Sequence, residues 1–489
     1  MINLNRVPLI EGLKLYQEEA NIRFHMPGHR HEDRQEELAL LQKNLYDFDV
    51  TEVPGTDNLH YPEGILKRSE ELLSLAMQSK ESLYCINGST ASNYAMVFGL
   101  FREGDKVLVQ RNCHQSIYNA FSLARLRPVY LMPEFIPSFG LLSSVSYEEI
   151  LAVYRKNPDA KGIVLTSPSY FGIAADIGRI ATFCDEKGIY LVVDEAHGAH
   201  FPFSSLLPES SMVLGAHASA VSFHKTLPSM TQGAVLNLSG KLSPEEAGRI
   251  RYYHRVFQSS SPSYPLMASM EMARYMMEEQ GETLYRELFQ RLDKLKGQLA
   301  LIDGLEVLGR IPGETDFFDE TRLVIHTPLE GEVLNLLLRE KHHIQCEMTR
   351  GHNIVFIITP FNTQGDLSCL GGALKEILED ARKEFSLPEE GTTEDLYDKE
   401  VFRNSLQVIP ETEALFMAHE TVEFDEAIGR ISFEKVVPYP PGIPLLIPGE
   451  RISKEAVTSL RRMYQYEGSI NRSSSQKENH IQVIQEEGC

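Results

Sequence analysis

The chain has 489 residues, 42% hydrophobic and 24% charged, with 33 glycines, 25 prolines and no tryptophan. That composition excludes a collagen-like repeat, a disordered tail protein and a bare coiled coil, and the length predicts about two or three domains. A net charge of −22 argues against nucleic acid as a partner, because phosphate-backbone binding rests on Lys and Arg; a cationic small molecule would be drawn in instead.

The first twenty residues lack an apolar run behind a basic start, and no stretch of about 20 apolar residues occurs, so neither a secretory peptide nor a membrane span is expected. Cys85, Cys113, Cys184, Cys346, Cys369 and Cys489 are scattered, with no CxxC or Cys/His cluster for a metal. The reading is a cytoplasmic protein with reduced thiols.

From about Ser82 to Ser239 one rhythm repeats: a short apolar run, a polar turn, a helix-like stretch. The runs Leu83–Ile86, Lys106–Gln110, Val129–Met132, Gly162–Thr166, Tyr190–Val193, Ala220–Phe223 and Ala234–Leu238 are mostly too apolar for a one-sided sheet. They predict an α/β large domain with a seven-stranded, mostly parallel sheet covered by helices. A long helix follows over Pro265–Ile302, its Met267, Met270, Met272, Met276 and Met277 read as core rather than a binding groove. A second, smaller α/β unit with strands at Thr321–Ile325 and Ile354–Ile358 comes next, then a linker at Leu387–Thr393. The last unit contains the Pro/Gly-rich stretch Val437–Pro444, and Asn471–Lys477 is read as a polar, mobile tail segment. The expected domains are 1–300, 301–388 and an α+β unit at 395–489.

In parallel sheets the chemistry collects at the carboxyl ends of the strands. One such end reads Asn87-Gly88-Ser89-Thr90-Ala91, where a glycine turn opens a helix and free N–H groups can cradle a phosphate. Alone such a turn is more often an ordinary Ser/Thr cap, and no GK[ST] makes it a P-loop. Another end places Asp194 directly after a buried strand, able to hold a cation or a protonated ring nitrogen, or to act as a plain helix cap. A third carries Ser222-Phe223-His224-Lys225; a lysine at the end of an apolar strand is suited to Schiff-base formation, or simply reaches solvent. A phosphate cradle, an acid for a pyridinium and a Schiff-base lysine, in this order on one α/β domain, are together what pyridoxal 5'-phosphate requires.

These stretches carry a resemblance. Phe24-His25-Met26-Pro27-Gly28-His29, Asp57-Asn58-Leu59-His60, Asn87–Thr90, Arg111-Asn112-Cys113-His114, Asp194–His200, Ser222–Pro228 and Pro440-Pro441-Gly442-Ile443-Pro444 resemble the Orn/Lys/Arg decarboxylase family of fold-type-I pyridoxal-phosphate enzymes. The likeness is to its short bacterial members, which lack the N-terminal response-regulator-like domain.

The resemblance implies Lys225 as the Schiff-base lysine, Asp194 on the pyridine nitrogen, and His114 and Ala196 against the two ring faces. It further implies Ser89, Thr90, Ser222 and His224 on the phosphate, with Ala91 beside them, and His197 near the ring hydroxyl. Lys225, His224 or His197 would return the proton to Cα. Ser261, in Ser259–Tyr264, is expected to reach the partner subunit's phosphate, giving a homodimer with shared active sites, or a higher homo-oligomer. Glu347 is the expected contact for the distal cation, and the substrate a basic amino acid: arginine, lysine or ornithine. The rival expectations are an aminotransferase, with Arg350 on the substrate carboxylate, a lyase of the same fold, and a non-catalytic homologue.

Overall fold

The computed structural model describes residues 7–30, 36–313, 315–384, 401–402, 406–438, 442–466, 470–472 and 479–485. The linker Leu387–Thr393, the Tyr439–Pro441 part of the proline-rich stretch, and Cys489 lie outside them. The chain divides into two compact units. One comprises Pro27–Thr283, Gly309–Glu320 and Glu394–Cys489; the other comprises Met1–Met26, Leu284–Leu308 and Thr321–Thr393.

The first unit is built on seven strands: β1 (Glu81–Cys85), β2 (Lys106–Gln110), β3 (Arg127–Leu131), β4 (Gly162–Thr166), β5 (Tyr190–Asp194), β6 (Ala218–Ser222) and β7 (Ala234–Leu238), in the order β1-β7-β6-β5-β4-β2-β3. All neighbours run parallel except β7, which is antiparallel to both β1 and β6. The expected class and strand number hold, and each expected run lies within two residues of a strand. Alternation explains why the runs read as apolar throughout. Val107, Val109, Val164, Val192, Ala218, Ala220 and Leu236 face one layer; Leu108, Ile163, Leu165, Leu191 and Val193 face the other. Both faces are covered, so neither needs a polar residue.

On the first face lie helices α1 (Gly88–Leu100), α2 (Gln115–Leu123) and α4 (Pro244–Val256), while the one-turn α3 (Phe223–Thr226) follows β6 directly. The start of α4 is fixed by a capping box, in which the Ser243 side chain takes the Glu246 N–H and Glu246 returns a bond to the Ser243 N–H. The helix expected over Pro265–Ile302 is α5 (Tyr264–Leu299), and Met267, Met270, Met276 and Met277 are buried, as a core helix requires.

The carboxyl-terminal part of this unit is α+β. Strand His419–Glu423 pairs with His480–Ile484, and Val436–Pro438 with Ile470–Arg472. Asn471 and Arg472 are therefore in a strand, not in a polar tail. Arg472 is held by a bidentate pair with the fully buried Glu434 carboxylate, a cross-strand demand that local composition does not reveal.

The second unit carries an antiparallel sheet of β8 (Glu306–Val307), β9 (Arg322–His326), β10 (Met348–Arg350) and β11 (Asn353–Ile357), in the order β8-β9-β11-β10. Helices α6 (Gly331–His342) and α7 (Gln364–Glu384) belong to the same unit. Here the N-terminal Ile22–Arg23 adds as a parallel strand beside Ile344–Gln345. The short strands β8 and β10 carry too few residues for a period to be read.

One buried acid gives a pH test. Glu70 is 4% exposed, and among the described residues its carboxylate accepts one long bond, from the Tyr84 N–H at 3.4 Å; burial pushes the carboxyl up to about 8 against that bond. A raised carboxyl contributes stability that is fully present below its unfolded value and lost as pH rises through the folded one. Glu70→Gln is thus expected to gain stability relative to the parent between about pH 5 and pH 8 and to show no further change beyond. Denaturation midpoints of both proteins at three pH values check this; a constant difference would refute it.

Candidate active site

Parallel register brings the polar strand ends together. Thr166, the last residue of β4, pairs with Asp194, the last of β5, and Asp194 pairs with Ala220 of β6, two residues before Ser222. On the far side of β7 from β6, β1 ends in the turn that opens α1. Gly88 sits there at φ +74°, a conformation costly for any side chain, so the turn can reverse tightly enough to begin the helix at once. Ser89 then meets Ser222, whose hydroxyl donates to the Ser89 hydroxyl at 2.9 Å.

Ser89, His114, Asp194, Ala196, His197 and Lys225 line one cavity, with Gln110, Thr166, Tyr170 and Ile443. Lys225 projects from the single turn of α3, and its Nζ lies 3.0 Å from His197 Nε2. The His197 ring is buried and meets the Tyr170 ring edge-on, with centroids 4.8 Å apart. Asp194 is 2% exposed; its Oδ2 accepts from Asn93 Nδ2 at 3.0 Å and its Oδ1 from the Ala196 N–H at 3.2 Å. Burial pushes the Asp194 carboxyl up, opposed by the charge of Lys225 and by these two donors. His114 is the N-cap of α2, and its Nδ1 takes the Ser116 N–H at 3.2 Å. Burial, and next the charge of Lys225, hold it down at about 4.

The other expected residues do not line this cavity. Thr90 is exposed on the first turn of α1, and Ala91 packs on Cys85 and Ala234. His224 turns its Nδ1 to the Gly233 carbonyl, 3.0 Å, and burial pushes it down to about 4. Ser261 is exposed, in a loop where Ser259 O takes a bond from His60 Nε2. Glu347 is in the second unit, where its Oε2 accepts the Met26 N–H at 2.8 Å. His25 is also there, bonded to the Tyr16 hydroxyl at 2.9 Å. Asp57 proves to be a loop organiser: although burial works against it, N–H bonds from Glu63, Asn58, Gly64 and Lys67 hold its carboxyl low.

Sequence reasoning passed over Asn93, Ser116, Gln110 and Thr166. The available signal was helical: Asn93 lies one turn after Ser89 on an otherwise apolar helix, so both present the same face. Gln110 ends β2, donates to Asn112 Oδ1 and accepts the Thr166 N–H, tying two strand ends below the cavity.

Gly28 explains part of the Phe24–His29 motif. Its N–H bonds the His224 carbonyl at 2.6 Å, and a Cβ there would stand 2.7 Å from the Leu227 carbonyl oxygen and 2.9 Å from the Leu227 nitrogen. The obstacle is backbone, directly beside the turn that carries Lys225. Gly28→Ala is expected to cost about 1–3 kcal/mol by overpacking and to reduce activity with it. Denaturation and turnover of the variant check this, and an unchanged midpoint would count against it.

Residues 7–315 match the Orn/Lys/Arg decarboxylase major domain, and residues 407–472 match the C-terminal domain of the same family. The chain belongs to the Orn/Lys/Arg decarboxylase family. It shares 34% identity with the uncharacterized protein YaaO of Bacillus subtilis (strain 168), over 98% of this chain and 99% of that one. With the arginine decarboxylase of Halalkalibacterium halodurans it shares 31%, over 94% of each. Among solved structures, Francisella novicida lysine decarboxylase LdcF superposes with a TM-score of 0.75 at 18% identity, covering 96% of this chain and 80% of that one. The Escherichia coli constitutive lysine decarboxylase gives 0.73 at 19%, covering 99% and 82%. The fold is therefore the fold-type-I architecture of this decarboxylase family. Among the described residues no helix is long and apolar enough to cross a membrane.

Proposed function

We propose that this chain is a pyridoxal-phosphate-dependent decarboxylase of a basic L-amino acid, releasing CO2 and the corresponding amine. The observation that carries the reading is that the Lys225 amine and the buried Asp194 carboxylate line one cavity together with Ser89, whose hydroxyl meets that of Ser222. The cavity fits the cofactor chemically. Thr166 Oγ1 is buried there with no hydrogen-bond partner, a polar group that a polar ligand would satisfy.

In this reading Lys225 Nζ would hold the cofactor covalently and Asp194 would take the proton-bearing ring nitrogen. His114 and Ala196 would flank the ring, and Ser89, Thr90, Ala91, Ser222 and His224 would surround the phosphate. When bound, pyridoxal phosphate supplies an electron sink for the bond between Cα and the carboxylate. The chain supplies the rest. His197 Nε2, 3.0 Å from Lys225 Nζ, gives that amine a neighbour with which to exchange a proton, so either can return one to Cα. Phe171, Leu142 and Ile443 give the cavity apolar walls, which would limit water beside the reacting groups.

Glu347 would meet the distal cation of the substrate, and Ser261 would reach the cofactor phosphate of a second copy in a homodimer, or in a higher homo-oligomer. The protein would work in the cytoplasm, in polyamine biosynthesis. We place arginine first among the substrates, because relatives at 31% identity are named arginine decarboxylases, whereas the constitutive lysine decarboxylase of Escherichia coli shares 24%.

The test is to supply purified protein and pyridoxal phosphate with arginine, lysine or ornithine separately and to identify the amine by mass spectrometry. Agmatine, with CO2, is expected. Cadaverine or putrescine instead would move the substrate. A keto acid without CO2 would overturn the reading in favour of an aminotransferase.

A further inference from the structure

Behind the cavity wall runs a chain of hydrogen bonds that none of the expected roles includes. Asn93, on α1, is buried and uses its amide nitrogen twice: toward Asp194 Oδ2 at 3.0 Å and toward the Ser116 hydroxyl at 3.0 Å. The Ser116 hydroxyl in turn lies 2.9 Å from His114 Nδ1, and the Ser116 backbone N–H points at the same nitrogen. With Asp194 held ionised by the opposing charge of Lys225, one set of proton positions is consistent. An ionised carboxylate only accepts, so the Asn93 side facing it must be the NH2. That NH2 also donates to Ser116, whose single proton is then free to point to His114. With that hydroxyl proton and the longer backbone N–H both aimed at His114 Nδ1, Nδ1 is the bare nitrogen and the ring proton sits on Nε2.

The arrangement has a cost: Asn93 Oδ1 is buried without a hydrogen-bond partner. A buried amide with half its capacity idle is unfavourable by itself, which points to a use for the half that is engaged.

We propose that Asn93 and Ser116 are positioning residues that fix the protonation of the two groups flanking the cofactor site, holding Asp194 as an oriented carboxylate and His114 as the neutral Nε2–H tautomer. This rests on the proposed function for its purpose but not for its geometry, which belongs to the chain alone. The charged groups facing this relay are Asp194 on β5 and Lys225 on α3. Lys225 disfavours a second proton on His114, and two donors aimed at Nδ1, the Ser116 hydroxyl at 2.9 Å and the longer Ser116 N–H at 3.2 Å, together disfavour one there, the closer hydroxyl the more.

The experiment is nitrogen NMR of the His114 ring in apoprotein labelled at histidine, a readout independent of turnover. At neutral pH the parent should show a protonated Nε2 and a bare Nδ1. Ser116→Ala removes the hydroxyl but keeps the N–H, and should add a measurable fraction of the other tautomer; Ser116→Thr, which restores the hydroxyl, should abolish that fraction. Asn93→Leu should weaken pyridoxal-phosphate binding about tenfold through Asp194. A parent ring protonated on Nδ1, or a tautomer ratio untouched by Ser116→Ala, overturns the proposal. Should Asn93→Leu not fold, the Ser116 pair decides alone. If no amine forms from any basic amino acid while the tautomer behaves as stated, the function is wrong and the relay stands.

Discussion

Lys225→Ala is expected to lower turnover by roughly three orders of magnitude or more and to remove the visible absorption that a lysine-linked pyridoxal phosphate gives. The side chain stands on a four-residue helix whose turn is fixed from two directions, by the Gly28 N–H on the His224 carbonyl and by the run of β6 into Phe223. Its amine has His197 at 3.0 Å and shares the cavity with Asp194. In the proposed roles alanine would remove both the covalent anchor and one member of the proton-exchanging pair, so binding and chemistry would fail together. His197→Gln should behave differently: it keeps the anchor and the absorption but slows proton return, about 10²-fold or more. Stopped-flow and steady-state measurements on the two variants separate the roles. Normal turnover in Lys225→Ala would remove the basis of the proposed function.

The second large effect is on stability. Arg111, at the end of β2, is fully buried with Glu450, their charged groups 3.3 Å apart. Arg111 also donates to the Tyr118 hydroxyl at 2.6 Å and to the Pro444 carbonyl at 3.0 Å, and its guanidinium lies 4.5 Å from the Phe402 ring centroid. Glu450 takes the Ile447 N–H besides. Burial pushes Glu450 up and Arg111 opposes it. Removing one partner leaves the other charge dry and unmatched, so Arg111→Ala or Glu450→Ala should cost about 3–5 kcal/mol. The double replacement Arg111→Met with Glu450→Leu should recover much of that loss, because the expense lies in the stranded charge rather than in the pair. Urea denaturation of the two single variants and the double variant tests this. Single-variant losses below about 1 kcal/mol would show that water reaches the pair.

The large sheet was legible because both of its faces are covered, so the strands are continuously apolar and the polar residues stand out at their ends. Asp194, Lys225, His114 and Ser89 were visible for the same reason. Asn93 and Ser116 were not. Each looks like an ordinary helix residue until β5 is laid beside α1, and only the sheet order does that. Arg111 was read as one letter of a motif, since its carboxylate partner stands far away in sequence, beyond the proline-rich stretch. Asn471 and Arg472 looked like tail for a similar reason: their strand partner lies over thirty residues upstream, and nothing local announces it.

The grip of Arg111 on the Pro444 and Leu445 carbonyls and on Glu450, with the Gln115 N–H on the Gly442 carbonyl and Lys435 on Asn119, fastens the carboxyl-terminal region to the very helix that His114 caps. That region is therefore no interchangeable module. A chimera that took residues 407–472 from a relative would inherit a working active site only if the socket around Arg111, Tyr118 and Asn119 travelled with it. Recombination within the family should accordingly succeed at crossover points that keep these pieces together and fail at those that part them.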